Sequence, residues 1–160
     1  MKKTQYIAQA GIIAAMYTVL TLLSSVLGLA SGVIQVRVSE ALCILPCFTL
    51  AAVPGLFIGC AVSNIITGAV PWDIVFGSAA TLIGAVGTRL LKEHRILASI
   101  PPIAANTLII PFVLRYAYGA EDALPFMMVT VFAGEFISCG VLGQLLYTAV
   151  NKRIKLHPDK

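Results

Sequence analysis

The sequence predicts an all-α integral membrane protein with six transmembrane helices, and three observations carry that prediction. Of its 160 residues, 59% are hydrophobic and 11% charged, where an ordinary soluble domain holds about 25% charged residues. A chain of this length needs a polar surface to cover a single core, so the expected solvent is lipid. Residues 6–30 carry no charge, and one helical span takes roughly 20 mainly apolar residues. The third observation is that Lys and Arg alternate by side along the chain.

The elements follow in order at 6–29, 40–52, 55–68, 74–91, 96–114 and 124–150. The first is too long for the apolar part of a signal peptide, and five more apolar segments follow it. The stretch 40–68 is long for one span and short for two. Pro54-Gly55 reads as a turn within it, which favours two short helices. Lys2 and Lys3 precede the first segment, Arg89, Lys92 and Arg95 follow the fourth, and Lys152, Arg153, Lys155 and Lys160 follow the sixth. Only Arg37 and Arg115 fall to the other side. The positive-inside rule then places both termini in the cytoplasm, which requires an even number of crossings. Residues 1–160 read as one transmembrane domain. The basic balance follows topology and does not point to nucleic acid.

Several classes are excluded or disfavoured. No G-x-x-x-x-G-K-[ST] occurs, so the chain carries no P-loop. His94 and His157 both fall in basic cytoplasmic segments, leaving no nucleophile–base pair or metal cluster for an enzyme. Cys43, Cys47, Cys60 and Cys139 all lie in apolar segments without a C-x-x-C pair. They read as buried small hydrophobes; no metal or cofactor is expected.

Polar groups inside the spans are the candidate sites, because burying an ionisable group costs several kcal/mol unless it has a partner. Glu135 lies about ten residues into the last segment, roughly 15 Å deep at about 1.5 Å per residue. It reads either as a carboxyl kept for structure, protonated or paired with Arg37 or Arg89, or as a ligand acceptor. Asn106 and Asn64 either bond a neighbouring helix or line the same outward-opening cavity. Asp73 precedes a helix and suits an N-cap, with ligand contact as the alternative. Trp72 is at interface depth, as an anchor or a stacking platform. Tyr116 and Tyr118 share that ambiguity, whereas Glu121 and Asp122 read as solvated loop charges.

Between the first two segments stands "VIQVRVSEAL". Its apolar and polar residues alternate with a period of two, as in an extended segment with two faces. Ser39 then reads as an N-cap and Glu40 as a first-turn acid that suits the helix dipole. Capping does not account for Gln35 or Arg37, which an extended strip over the bundle mouth would present to a cavity. In the first segment Ala10 and Ala14, and likewise Gly11 and Ala15, stand four apart. Such small pairs let a second helix approach closely, within the chain or from a partner.

"IQVRVSEALCILP", "GLFIGCAVSNII" and "DIVFGSAATLIG", together with Ala10-x-x-x-Ala14, resemble the QueT family of queuosine-precursor transporters across almost the whole chain. These are substrate-binding S-components of energy-coupling factor (ECF) transporters. The resemblance implies an S-component-like bundle whose outward pocket is partly closed by the connection after the first helix. It implies partners as well: a membrane scaffold subunit docked on the Ala10 and Ala14 face, and two cytoplasmic ATPases that supply the energy. The implied substrate is a 7-deazaguanine, such as the aminomethyl or cyano precursor (preQ1 or preQ0). For that ligand, Glu135 or Glu40 would clamp the N1–H and exocyclic amine, since ionised acceptors make the stronger hydrogen bonds. Arg37, Gln35, Asn64 or Asn106 would donate to O6, Trp72 would line the flat slot, and Asp73 would meet an aminomethyl cation. Another flat vitamin fits the same bundle. A self-contained proton-coupled transporter is the remaining alternative, though no inverted repeat supports it.

Overall fold

In the computed structural model, residues 3–29 and 34–156 are described. Lys2, Lys160 and His157 of the charge and histidine patterns lie outside them, as does Val33 of the first connection. Helix α1 is Lys3–Val26, α2 is a 3-10 helix at Val38–Cys47, α3 is Ala52–Ile66 and α4 is Pro71–Leu90. A 3-10 turn at Leu97–Ser99 leads into α5, Ile100–Tyr116. The last rod, α6, runs through Leu124–Glu135, a π-helical stretch at Phe136–Leu142, and Gly143–Leu156. Among the described residues there is no strand. The expected all-helical class and its six helices are therefore observed.

Among the described residues, four stretches are long and apolar enough to cross a membrane: Lys3–Val26, Pro71–Leu90, Leu97–Tyr116 and Leu124–Ile154. The other two helices are short, as the 40–68 stretch led us to expect. At about 2.0 Å per residue the ten residues of α2 cover roughly 20 Å. The 15 residues of α3 cover roughly 22 Å at about 1.5 Å each. The expected break at Pro54-Gly55 falls earlier, at residues 48–51, and Pro54 lies inside the first turn of α3. A proline is tolerated there because the first-turn amides have no partner within the helix.

The faces of the helices are reversed relative to a soluble bundle. Helix α1 buries Tyr17, Thr18, Thr21 and Ser24, and exposes Ile7, Ile12, Met16, Val19 and Leu23. Helix α4 buries Asp73, Ser78, Thr81 and Thr88 among small residues, and turns Val75, Phe76, Ile83 and Leu90 outward. Large apolar side chains outside and hydroxyls inside suit lipid as the surrounding medium, since lipid accepts the first and punishes the second.

Small residues set the helix spacing. A Cβ built on Gly55 would meet the Ala10 carbonyl oxygen at 2.8 Å, and one on Gly59 would meet the Ala14 carbonyl oxygen at 2.9 Å. Ala10 and Ala14 thus form an internal seam between α1 and α3. Across the bundle, a Cβ on Gly84 would lie 2.7 Å from Cα of Pro102, so α4 and α5 also touch nearly backbone to backbone. Helix α2 packs against α1, α4 and both parts of α6 beyond Glu135. It sits as a wedge at the centre, carrying Ser39 and Glu40 with it.

Candidate functional site

The polar interior is assembled around the N-terminal end of α2. Val36 N donates to the Leu29 carbonyl at 2.9 Å, and Val38 N donates to Ser24 Oγ at 3.0 Å. These bonds hold the first connection against the end of α1. The backbone at Arg37 is extended, φ −102° and ψ 105°, as the two-residue alternation predicts. The alternation then ends, because α2 begins at Val38.

That early start overturns the expected role of Ser39. The N-cap position belongs to Arg37, which makes no side-chain cap bond. Ser39 is fully buried inside the helix, and its Oγ accepts from Thr21 Oγ1 at 2.8 Å. Asp73 is not a cap either. Val70 holds that position and Pro71 opens the helix, so Asp73 falls one turn too late. Its Oδ2 accepts from the Tyr118 hydroxyl at 2.9 Å, and its backbone carbonyl accepts from Asn64 Nδ2 at 3.3 Å. Its Oδ1 is buried without a hydrogen-bond partner among the described residues. Burial, followed by the bond to Asp73 and its charge, raises the Tyr118 phenol above its ordinary range. Tyr118 therefore remains a donor to Asp73 at neutral pH.

Glu40 is the most enclosed acid, at 2% exposure. Tyr17 donates its hydroxyl to Glu40 Oε1, and Cys43 Sγ donates to Oε2 at 2.9 Å. Glu135 reaches the same place from α6. Cys139 Sγ lies 3.4 Å from Glu135 Oε2 and 3.3 Å from the Glu40 carbonyl oxygen. The Asn106 amide of α5 interacts with the Glu135 carboxyl, and Glu40 is within electrostatic range of it. Arg37, half-buried, is within electrostatic range of Glu40, Asp73 and Glu135. It makes no ion pair within 4.0 Å; among the described residues the direct pair is Lys92–Glu93 at 3.7 Å. Arg89, the other cation considered for Glu135, instead donates to the Pro46 carbonyl at 3.0 Å.

The structure thus brings Asn106 to Glu135 with Glu40 nearby, and Arg37 lies within electrostatic range of both acids and of Asp73, to which Asn64 is attached. Gln35 crosses above: a Cβ on Gly134 would overlap the Gln35 carbonyl oxygen. The glycine next to Glu135 therefore allows the connection to lie directly on α6. A π-helical stretch begins immediately after Glu135, a local irregularity that often accompanies functional sites.

Trp72 stands apart. It is 63% exposed and stacks on Phe76 with ring centroids 5.8 Å apart. With Phe112 and Tyr116 it lines an outward apolar groove of about 600 Å³ between α4 and α5. That placement fits the anchor reading and removes Trp72 from the polar interior. Sequence reasoning missed Tyr17, which looks like any aromatic in an apolar helix. The signal was present in the spacing of Tyr17, Thr21 and Ser24 along one face of α1, because a polar stripe on a membrane helix points inward. It also missed the meeting of Cys43 with Cys139. Three of the four cysteines are buried as expected, while Cys47 is partly exposed.

An apolar exterior around buried acids and hydroxyls is the construction of a membrane protein. The chain belongs to the QueT transporter family, whose model matches residues 7–152. It is accordingly a membrane transporter, and that family is not one of enzymes. No curated protein and no solved structure matches the chain.

Proposed function

We propose that the chain is the substrate-binding S-component of an ECF-type importer and captures a 7-deazaguanine precursor of queuosine. Capture occurs at the outer face of a prokaryotic plasma membrane, with six crossings and both termini cytoplasmic. The observation that carries this reading is the burial of Glu40, Asn106 and Glu135 within electrostatic range of one another and of Arg37, with the Gln35 backbone lying on Gly134 beside them. A deazaguanine offers two adjacent donors, N1–H and the exocyclic amine, and one carbonyl acceptor. Glu135 is the clamp for the donors. Glu40 already accepts from Tyr17 and Cys43, so it positions the site and adds charge. Arg37 supplies the donor for O6. Asp73, with one oxygen free of hydrogen bonds, receives the aminomethyl cation. Bonds to ionised groups are worth about 1.5–3 kcal/mol each, enough to select this edge from other flat heterocycles.

Energy comes from a scaffold subunit and two ATPases. The docking surface on α1 shifts by one residue from the first expectation. Ala10 is buried against α3, whereas Gly11 and Ala15 are exposed, and a Cβ on Gly11 would meet nothing within 4 Å. The Gly11-x-x-x-Ala15 face is therefore the one free to receive another helix. The test is isothermal titration of the purified protein with the aminomethyl and cyano deazaguanines. Tight binding lost in Glu135→Gln supports the reading, and binding of neither compound rejects it. The proximity of Glu40 to Glu135 favours one second reading, a proton-coupled carrier. Uptake into proteoliposomes driven by a pH gradient alone would establish that reading instead.

A further inference from the structure

We infer that Glu40, Cys43 and Cys139, with Glu135 as fourth donor, form a binding site for a thiophilic divalent cation of the zinc class. The ligand atoms of Glu40, Cys43 and Cys139 lie within 4.8 Å of one another, and all three residues are buried. Two thiolates sharing one tetrahedral zinc ion at about 2.3 Å each lie roughly 3.8 Å apart. Side-chain rotations that close the cluster by up to about 1 Å bring these ligand atoms onto one ion. Glu135 Oε2, 3.4 Å from Cys139 Sγ, is at the separation expected of neighbouring ligands around a tetrahedral ion.

The hydrogen bonds supply a second argument. Cys43 directs its S–H at Glu40 Oε2, and Cys139 has both the Glu40 carbonyl and Glu135 Oε2 within reach. The side chains of Glu40, Cys43 and Cys139 are thus grouped, and Glu135 Oε2 stands beside Cys139. Coordination replaces the two S–H protons, which pass to solvent, and the ion takes their place among the same atoms. Tyr17 holds Glu40 by its other oxygen, the type of outer contact that orients a metal-binding carboxylate. Two sulfurs with carboxylate oxygens favour zinc or cadmium over magnesium or calcium, which prefer oxygen alone. Glu40 and Cys43 stand on α2, Glu135 and Cys139 on α6, so the ion ties the central wedge to the longest rod.

The consequence for transport rests on the function proposed above. Glu135 serves both ion and organic ligand, so bound ion excludes the deazaguanine. The site itself does not depend on that reading. The test is titration of the reduced, metal-free protein in detergent with cadmium, followed by the ultraviolet thiolate-to-cadmium absorption. One saturable equivalent is expected, displaced by zinc, abolished in the Cys43→Ser/Cys139→Ser double variant and retained in Cys47→Ser. Tyr17→Phe is expected to weaken cadmium binding by roughly 10–100-fold, as loss of an outer contact does. The single variants Cys43→Ser and Cys139→Ser, checked for folding by circular dichroism, should each diminish the absorption. No saturable absorption, or absorption that follows Cys47 alone, overturns the site. Cadmium binding without any effect on deazaguanine affinity retains the site and removes its link to transport.

Discussion

The backbone carbonyl of Gln35 lies directly against Gly134, where any side chain would overlap it. The first connection is thus seated on α6 one residue before Glu135. Gly134→Ala should push the connection away, since overpacking costs about 1–3 kcal/mol when the neighbour cannot yield. A backbone carbonyl held by the Val36–Leu29 and Val38–Ser24 bonds yields poorly. We expect a faster ligand off-rate and at least tenfold weaker affinity, read by stopped-flow and calorimetry. Unchanged affinity would mean the connection does not close the site.

Two sets of small residues on α1 are predicted to separate folding from coupling. Gly55→Val and Gly59→Val insert bulk against the backbone of Ala10 and Ala14, and each should lower stability by about 1–3 kcal/mol. Thermal unfolding in detergent checks this. Gly11→Leu faces open space and should leave both stability and ligand binding intact while abolishing uptake with the partner subunits. Loss of binding in Gly11→Leu would place that residue in the internal packing instead.

Tyr17→Phe removes the donor from a buried carboxylate. Leaving a buried polar group short of a partner costs about 1–3 kcal/mol, more when it is charged. Denaturant or thermal unfolding should show at least this loss, and a neutral result would show that Glu40 is held by other means.

Tyr118 gives a pH prediction. Its phenol is raised above the ordinary tyrosine value, first by burial and then by Asp73. The protonated form is therefore favoured in the folded protein. Its contribution is fully present below about pH 10, the unperturbed value, and is lost as pH rises through the folded value. Tyr118→Phe should flatten that alkaline loss of stability. At neutral pH it should cost the hydrogen bond itself, about 0.5–1.5 kcal/mol.

What was legible in the sequence reflects what one-dimensional pattern encodes. Long uncharged runs mark apolar helices, so the six helices and the shortness of the second and third could be read in advance. A charged or amide side chain in an apolar run marks a site candidate, so Arg37, Glu40, Asn106 and Glu135 could be named from the sequence. Cap assignments failed because a 3-10 start at Val38, with the cap at Arg37, moves Ser39 two positions inside, and a start at Pro71, with the cap at Val70, moves Asp73 three positions inside. Both readings assumed a generic helix start. Trp72 was open between anchor and stacking platform because interface depth does not tell which way a ring faces, and its outward placement fits the anchor. The approach of Cys139 to Glu40 spans 99 positions, and no spacing rule reaches that far.

The central claim is that the buried acids receive a deazaguanine from outside the cell. Its most direct test is mass spectrometry of small molecules released from the purified protein after expression in cells supplied with the aminomethyl deazaguanine. That compound is expected in stoichiometric amount from the wild type and is expected to be absent from Glu135→Gln. A stoichiometric ligand of another class, or equal retention by the Glu135→Gln variant, would contradict it.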